Sequence, residues 1–396
     1  MESNIINELK LIHEMSLDNP KELISQINRI RKLQSEKKLI PAKLISLSKF
    51  VLSSEILHKK GFPEYVLLDE YFLSYATNEK FAAFRANKIS QIFPGESIID
   101  ICCGSGLQLL EFCKLGIKCC GIEKDEQRYF LAKININLAH HNKTIKIKPE
   151  IYLEDALNIN TAKIAKDFDI VFCDSFRKDK IYSPSLNEVH NIYKDKHIVY
   201  EFIPTENISD ILSQYNFLKN NSEIEFYGEK DRCSRLTAYI GIGNTINFIQ
   251  DDEYLKISLQ YKHNELEKNK TTKFSDIFPK KDFIVINRCI VENYFTNLLS
   301  NKVFMLDKRR YLLEYDNLIK SNRIYEPLFC AESMHKIESY LRQNYLEDYY
   351  ITLRFEIDPK DYWYFINSNQ LMVNKESKNK ISLFKYKDMY YLALEK

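Results

Sequence analysis

Five of the chain's nine glycines fall between Gly95 and Gly121. In a glycine-poor chain such clustering implies main chain that side chains would obstruct. The segment Ile98-Ile99-Asp100-Ile101-Cys102-Cys103-Gly104-Ser105-Gly106 reads as a buried strand, a tight turn and the start of an amphipathic helix. Gly104 and Gly106 let the backbone approach a ligand closely, with the free N–H groups of a helix N-terminus behind it. Glu123 closes the next apolar strand, where a carboxylate can accept hydrogen bonds from both hydroxyls of a ribose. Glu154-Asp155-Ala156 follows a third strand, and an acid there can accept from an adenine amino group. A fourth strand, Phe168–Cys173, runs into Asp174-Ser175-Phe176-Arg177. All four segments follow the carboxyl ends of consecutive strands, where open α/β sheets bind ligands. A dinucleotide-binding fingerprint would need a third glycine at position 109, which is Leu109.

The elements that must position these residues are legible from periodicity. From Pro94 to about Ile242 short β-type runs (Ser97–Ile101, Lys118–Ile122, Lys146–Tyr152, Asp169–Cys173, Ile198–Phe202, Ile224–Phe226, Leu236–Ile240) are interleaved with helical patterns at Gln108–Leu115 and Glu126–His140. That alternation predicts βαβ units around a mainly parallel sheet with helices on both faces. The last two runs are too close for a helix between them, so they read as a hairpin that sets an antiparallel strand at the end of the sheet. Residues 1–90 read as a helical region, with Ile6, Leu9, Ile12 and Met15 on one face and Leu23, Ile24, Ile27 and Ile30 repeating the spacing. The polar stretch 246–282 reads as a linker or loop. Residues 283–396 read as a small α+β domain, in which a helix at Val285–Leu299 precedes short strands. The domain expectation is therefore 1–90, 91–245, 246–282 and 283–396.

Composition excludes several classes. At 45% hydrophobic and 28% charged residues the chain is neither disordered nor fibrous. A formal net charge of +2 gives no global field that would draw it onto nucleic acid, so such a surface must be local. One basic string, Arg29, Arg31, Lys32, Lys37 and Lys38, is either a solvated helix end or a phosphate-contact patch. No apolar run reaches the length that spans a bilayer, and Met1–Met15 lacks the apolar core of a signal peptide. The nine cysteines are odd in number and form no CxxC pair, as expected of reduced thiols in a cytoplasmic protein. The vicinal pairs Cys102–Cys103 and Cys119–Cys120 point to opposite faces of their strands and make poor chelates, so no metal is expected. The eight histidines show no ligand spacing either. Trp363, the single tryptophan, reads as a core anchor of the last domain rather than a base-stacking platform.

Together the Asp100–Gly106 turn, Glu123, Asp155 and Asp174 resemble class I S-adenosylmethionine-dependent methyltransferases. By that resemblance the fold is a Rossmann-like sheet of seven strands with the last antiparallel. S-adenosylmethionine is the implied cofactor, bound by Asp100, Cys102, Gly104, Gly106, Glu123 and Asp155, with Cys102 standing where the family's turn has its first glycine. A narrower likeness joins Ala76-Thr77, Ala83-Phe84-Arg85-Ala86, Asp174–Arg177 and Ser183-Pro184-Ser185-Leu186 to bacterial and archaeal methyltransferases with a C-terminal THUMP-like domain. It implies an RNA acceptor, a base in tRNA or rRNA.

Asp174 and Phe176 are then the expected catalytic residues, and Arg177 and Lys178 the expected phosphate contacts. A carboxylate with a nearby carbonyl can orient an exocyclic amine for in-line displacement at a sulfonium carbon, while an aromatic ring stacks on the base. Family members carry proline after this aspartate; here the residue is Ser175. Three alternatives stay open: Asp174 as a turn cap, a small-molecule or protein acceptor, and a non-catalytic scaffold that keeps the fold. The oligomeric state is not readable from the sequence.

Overall fold

The computed structural model describes residues 2–69, 73, 76–178, 181–206, 208–219, 221–229, 232–250, 255–260, 278–287, 303–306, 310–315, 319–321, 323–345, 348–355, 357–371 and 374–396. Backbone contacts divide the chain into two compact units, Met1–Glu201 and Phe202–Lys396.

The first unit opens with α1 (Glu2–Asp18) and α2 (Pro20–Ser35). Their apolar spacing turns Leu9, Ile12, Leu23, Ile27 and Ile30 inward. Asn19 caps α2, accepting from Glu22 N at 3.3 Å, and Pro20 supplies the pre-set φ of a first helical residue. Arg31 belongs to the interior rather than to a phosphate patch: it is 6% exposed and its Nε donates to the Leu52 carbonyl at 3.0 Å. Arg29 and Lys32 are exposed. The short helix α3 (Ser54–Lys60) and the longer α4 (Glu79–Ile92) lead into the sheet.

There β1 (Ile98–Asp100), α5 (Leu107–Lys114), β2 (Cys119–Glu123), α6 (Glu126–His141), β3 (Glu150–Leu153), α7 (Ile159–Ile164) and β4 (Ile170–Cys173) alternate as expected. A hairpin of β5 (Phe176–Lys178) and β6 (Ile181–Ser183), then α8 (Leu186–Tyr193) and β7 (His197–Phe202), complete it. The parallel order is β3-β2-β1-β4-β7, with Asp100 opposite Gly121 and Phe172, and Cys173 opposite Tyr200. The order reverses its direction of growth between β1 and β4, the switch point where such sheets open a crevice. β4 is a continuous apolar run and β1 is apolar up to Asp100 at its end; both are buried on both faces, as parallel strands covered by helices must be. Ser97 N and Oγ both donate to Asp169 Oδ2, at 2.9 and 2.7 Å, which fixes the register at the strand starts.

The second unit carries α9 (Ile208–Gln214), β8 (Ser222–Glu229), β9 (Arg232–Ile240), β10 (Asn244–Gln250), β11 (Leu255–Gln260), β12 (Phe283–Asn287) and β13 (Val303–Met305). Then follow β14 (Arg310–Glu314), β15 (Ile319–Ser321), β16 (Tyr325–Ala331), α10 (Met334–Tyr345), β17 (Tyr350–Leu353), α11 (Tyr362–Ser368), β18 (Lys380–Tyr386) and β19 (Met389–Glu395). The expected hairpin is β8–β9, antiparallel with a bulge at Tyr227/Gly228. The expected count of seven strands stops too early, because β10 adds parallel to β8, and β11 and β15 follow antiparallel. Two of those strands occupy the stretch read as a linker. Their alternation (Ile246, Leu255, Ile257, Leu259) is diluted by Asn, Gln and Lys, which hides it in a window scan. A second sheet has the order β13-β14-β12-β16-β19-β18-β17. Here the expected Val285–Leu299 helix is corrected: Phe283–Asn287 is a strand paired with β14, and 288–300 lie outside the described residues. Ile284, Val285 and Ile286 are β-branched, and their cross-strand partners outweigh the helical spacing that continues beyond them.

Trp363 is a further correction. In α11, Ile366 turns into the core, and Trp363 and Tyr364 face out at 58% and 75% exposure, because the helical period cannot bury both sides of so short an element. Among the described residues no helix is long and apolar enough to cross a membrane.

Candidate active site

The turn after β1 is held by main chain. Ile101 N donates to the Phe172 carbonyl at 2.9 Å and Cys103 N to the Ile122 carbonyl at 3.0 Å, which ties the turn to both neighbouring strands. Gly104 N donates to Glu123 Oε2 at 2.8 Å, and Asp125 N to Oε1 at 2.9 Å. Gly104 (φ +55°) and Gly106 (φ +82°) both sit in the left-handed region. A Cβ at Gly106 would stand 3.3 Å from Cα and Cβ of Ala132 on α6, so the helix packs where only glycine fits. Nothing lies within 4 Å of a Cβ built on Gly104. Asn135, fully buried on α6, donates to the Ser105 carbonyl at 3.0 Å and brackets Leu67 from both sides, accepting from its N–H at 2.8 Å and donating to its carbonyl at 3.1 Å.

Asp100 is 1% exposed and accepts from Cys102 N at 3.1 Å. Burial pushes its carboxyl up to about 8; the charges of Asp174 and Glu123 add to that, and the Cys102 N–H and Arg85 oppose it. Burial also raises Glu123, against the pull of its two backbone donors and Arg128. Cys102 Sγ lies 3.9 Å from Cys173 Sγ, so the turn also meets the end of β4. Asp155, exposed at the end of β3, turns Oδ1 onto its own loop and accepts from Leu157 N at 2.9 Å. It is joined to the other acids through the main chain, since Glu154 N donates to the Glu123 carbonyl at 3.1 Å.

The turn after β4 is held by side chains. Asp174 Oδ2 accepts from Thr77 Oγ1 at 3.5 Å and lies 3.9 Å from Arg85 Nη1; its other oxygen pairs with Arg177. Arg85, 3% exposed, also donates to Gln108 Oε1 at 3.1 Å, pairs with the fully buried Glu201 at 3.1 Å, and stacks 4.9 Å from the centre of the Phe172 ring. Ser175 is buried, its Oγ 3.1 Å from Tyr200 Oη. Phe176 is 38% exposed on the β5–β6 hairpin, two residues after Asp174 in the chain. Arg177 spends its charge on Asp174, so the structure does not present it as a free phosphate contact. Lys178 is placed only by its backbone, opposite Ile181; its side chain lies outside the described residues.

Four residues of this arrangement are missing from the sequence expectation. Tyr200, Glu201, Gln108 and Asn135 sit inside apolar runs, and only Glu201, a charge within the strand Ile198–Phe202, carries a signal: a buried charge demands a partner. A cavity of about 240 Å³ between Cys119, Ile147, Pro149 and Phe168 opens at the amino ends of β2 and β3, the opposite end of the strands from these acids. Among the described residues no group of three or more His, Cys, Asp or Glu could hold a metal ion.

No protein-family model matches the chain and no curated protein is similar to it in sequence. Solved structures are. One, described as a "putative methyltransferase from Porphyromonas gingivalis W83", is 12% identical with a TM-score of 0.56 and covers 100% of this chain and 98% of that one. Magnesium protoporphyrin IX methyltransferase from Synechocystis PCC 6803 with bound SAM is 15% identical, TM-score 0.32, over 41% of this chain and 78% of that one. A SAM-dependent methyltransferase from Archaeoglobus fulgidus is 23% identical, TM-score 0.29, over 41% and 79%. The first of these likenesses runs the full length of both chains and carries the assignment: the chain has a Rossmann-like methyltransferase fold, with a mixed, mainly parallel sheet.

Proposed function

We propose that the protein is an S-adenosylmethionine-dependent methyltransferase that modifies a base in tRNA or rRNA. The Gly104 N to Glu123 Oε2 hydrogen bond carries the reading, because it folds the glycine turn onto the acid of the next strand. Each Glu123 oxygen accepts one backbone N–H and keeps lone-pair capacity for one ribose hydroxyl. The open space at Gly104 admits a ligand against the backbone, and an ammonium group beside the buried Asp100 carboxyl would favour its ionised form. The residues therefore fit the cofactor. Asp100, Gly104, Gly106 and Glu123 would hold it, with Cys102 lining the turn and Asp155 at the adenine edge.

When bound, S-adenosylmethionine supplies an electrophilic methyl group. Asp174 accepts a hydrogen bond from the acceptor's exocyclic amine and aims its lone pair, a positioning contribution that needs no covalent help. Arg85 and Thr77 fix the Asp174 carboxylate, and Phe176 offers a stacking face beside it.

Three things support an RNA acceptor: the likeness of the flanking segments to the THUMP-bearing methyltransferases, the exposed Trp363 and Tyr364 of the second unit, and the exposed Arg29 and Lys32 of the first. Labelled methyl transfer to bulk tRNA and rRNA tests the reading. Wild type should label one of them, and Asp174→Ala should lose at least roughly 100-fold in rate, the usual cost of a lost positioning group. Equal labelling by both proteins removes Asp174 from the chemistry. Label that enters small molecules or protein instead removes the RNA.

A further inference from the structure

Proline would fix φ after Asp174, and the serine found there is not an empty substitution. Ser175 is 3% exposed and Tyr200, on the adjacent strand β7, is 0% exposed. Tyr200 Oη donates its one proton to the Pro184 carbonyl at 2.9 Å. With that proton committed, the phenol oxygen can only accept from Ser175 Oγ, 3.1 Å away. The direction of the chain is thus fixed: Ser175 hydroxyl to Tyr200 phenol to Pro184 carbonyl. Pro184 directly follows the end of β6, and β6 pairs with β5, whose first residue Phe176 stands opposite Ser183.

We propose that Ser175 and Tyr200 are positioning residues, a hydroxyl relay that clamps the turn after β4 and so sets the direction of Asp174 and Phe176. The relay supplies by hydrogen bonding what a proline supplies by its ring. Both hydroxyls are buried away from water, so each link is made in a low dielectric where it is strong and directional. The consequence for Asp174 and Phe176 rests on the methyl-transfer reading above; the relay itself does not.

Wild type, Ser175→Ala, Tyr200→Phe and the double variant separate the two. With label transfer as the readout, each single variant should lose about 10-fold in kcat, one hydrogen bond's worth, at unchanged KM for the cofactor. The double variant should lose no more than about 10-fold as well, because both changes break the same chain. Losses that multiply, or full kcat in Ser175→Ala, overturn the proposal. Ser175→Pro should regain activity over Ser175→Ala, which a purely structural hydroxyl would not allow; no gain overturns it. If wild type transfers no methyl group, the methyl-transfer reading falls alone, and amide exchange then decides the relay. Faster exchange at Phe176 and Arg177 in both single variants, with β4 unchanged, upholds it; unchanged exchange refutes it.

Discussion

The turns after β1 and β4 hold one acid each by opposite means. Glu123, the acid facing the first turn, is held by the backbone N–H groups of Gly104 and Asp125. Asp174, the acid of the second, is held by side chains: Arg177 three residues on, and Thr77 and Arg85 from far along the sequence, with Arg85 anchored in turn by Gln108 and Glu201. Backbone donors lie within the local segment and need only glycine and a short turn. Thr77 and Arg85 must be delivered by other parts of the chain, so the support of Asp174 reaches beyond Arg177 to α4, α5 and β7. A turn of the first kind tolerates most changes elsewhere in the fold, whereas one of the second kind is only as sound as its most distant partner.

The largest expected effect follows from that difference. Arg85→Met leaves Glu201 as an uncompensated buried charge, and stability to urea should fall by about 3–5 kcal/mol. Adding Glu201→Leu should restore most of that stability without restoring labelling, because Asp174 Oδ2 still lacks Arg85 and only Arg177 on the other oxygen remains. A loss under about 1 kcal/mol in Arg85→Met would mean that the second turn is held locally after all.

A smaller effect belongs to the first turn. In the folded protein the Asp100 carboxyl is raised from its ordinary value near 4 to about 8. Between those pH values the folded state binds more protons than the unfolded state, so this group's contribution is complete below about pH 4 and is lost as pH rises toward 8. This group should cost wild type roughly 2 kcal/mol between pH 6 and pH 8, given a ceiling of about 1.4 kcal/mol per unit for one group, and Asp100→Asn should flatten the curve. Denaturant midpoints at the two pH values measure it; equal slopes would show Asp100 to be ionised in the free protein.

How much was legible follows the same line. The glycine cluster, the strand-end acids and the alternation around them are short-range signals, and β1 to β4 with α5 and α6 emerge within a few residues of their expected bounds. Arg85 and Thr77 entered only through a family likeness, because nothing local says that an arginine on α4 reaches the end of β4. Tyr200 and Ser175 read as ordinary strand and turn residues, since a relay is a property of two strands in register. In the second unit the interspersed Asn, Gln and Lys of β10 and β11 make their sequence read as a linker, and aromatic type alone says nothing about which side of α11 Trp363 falls on.

Calorimetry of S-adenosylmethionine binding to the wild-type protein and to Glu123→Ala tests the cofactor seat most directly. The wild type should bind with a measurable enthalpy, and Glu123→Ala should bind at least roughly 30-fold more weakly, since two hydrogen bonds to a charged acceptor are lost. Equal affinity in the two proteins, or no binding by the wild type, would contradict the account.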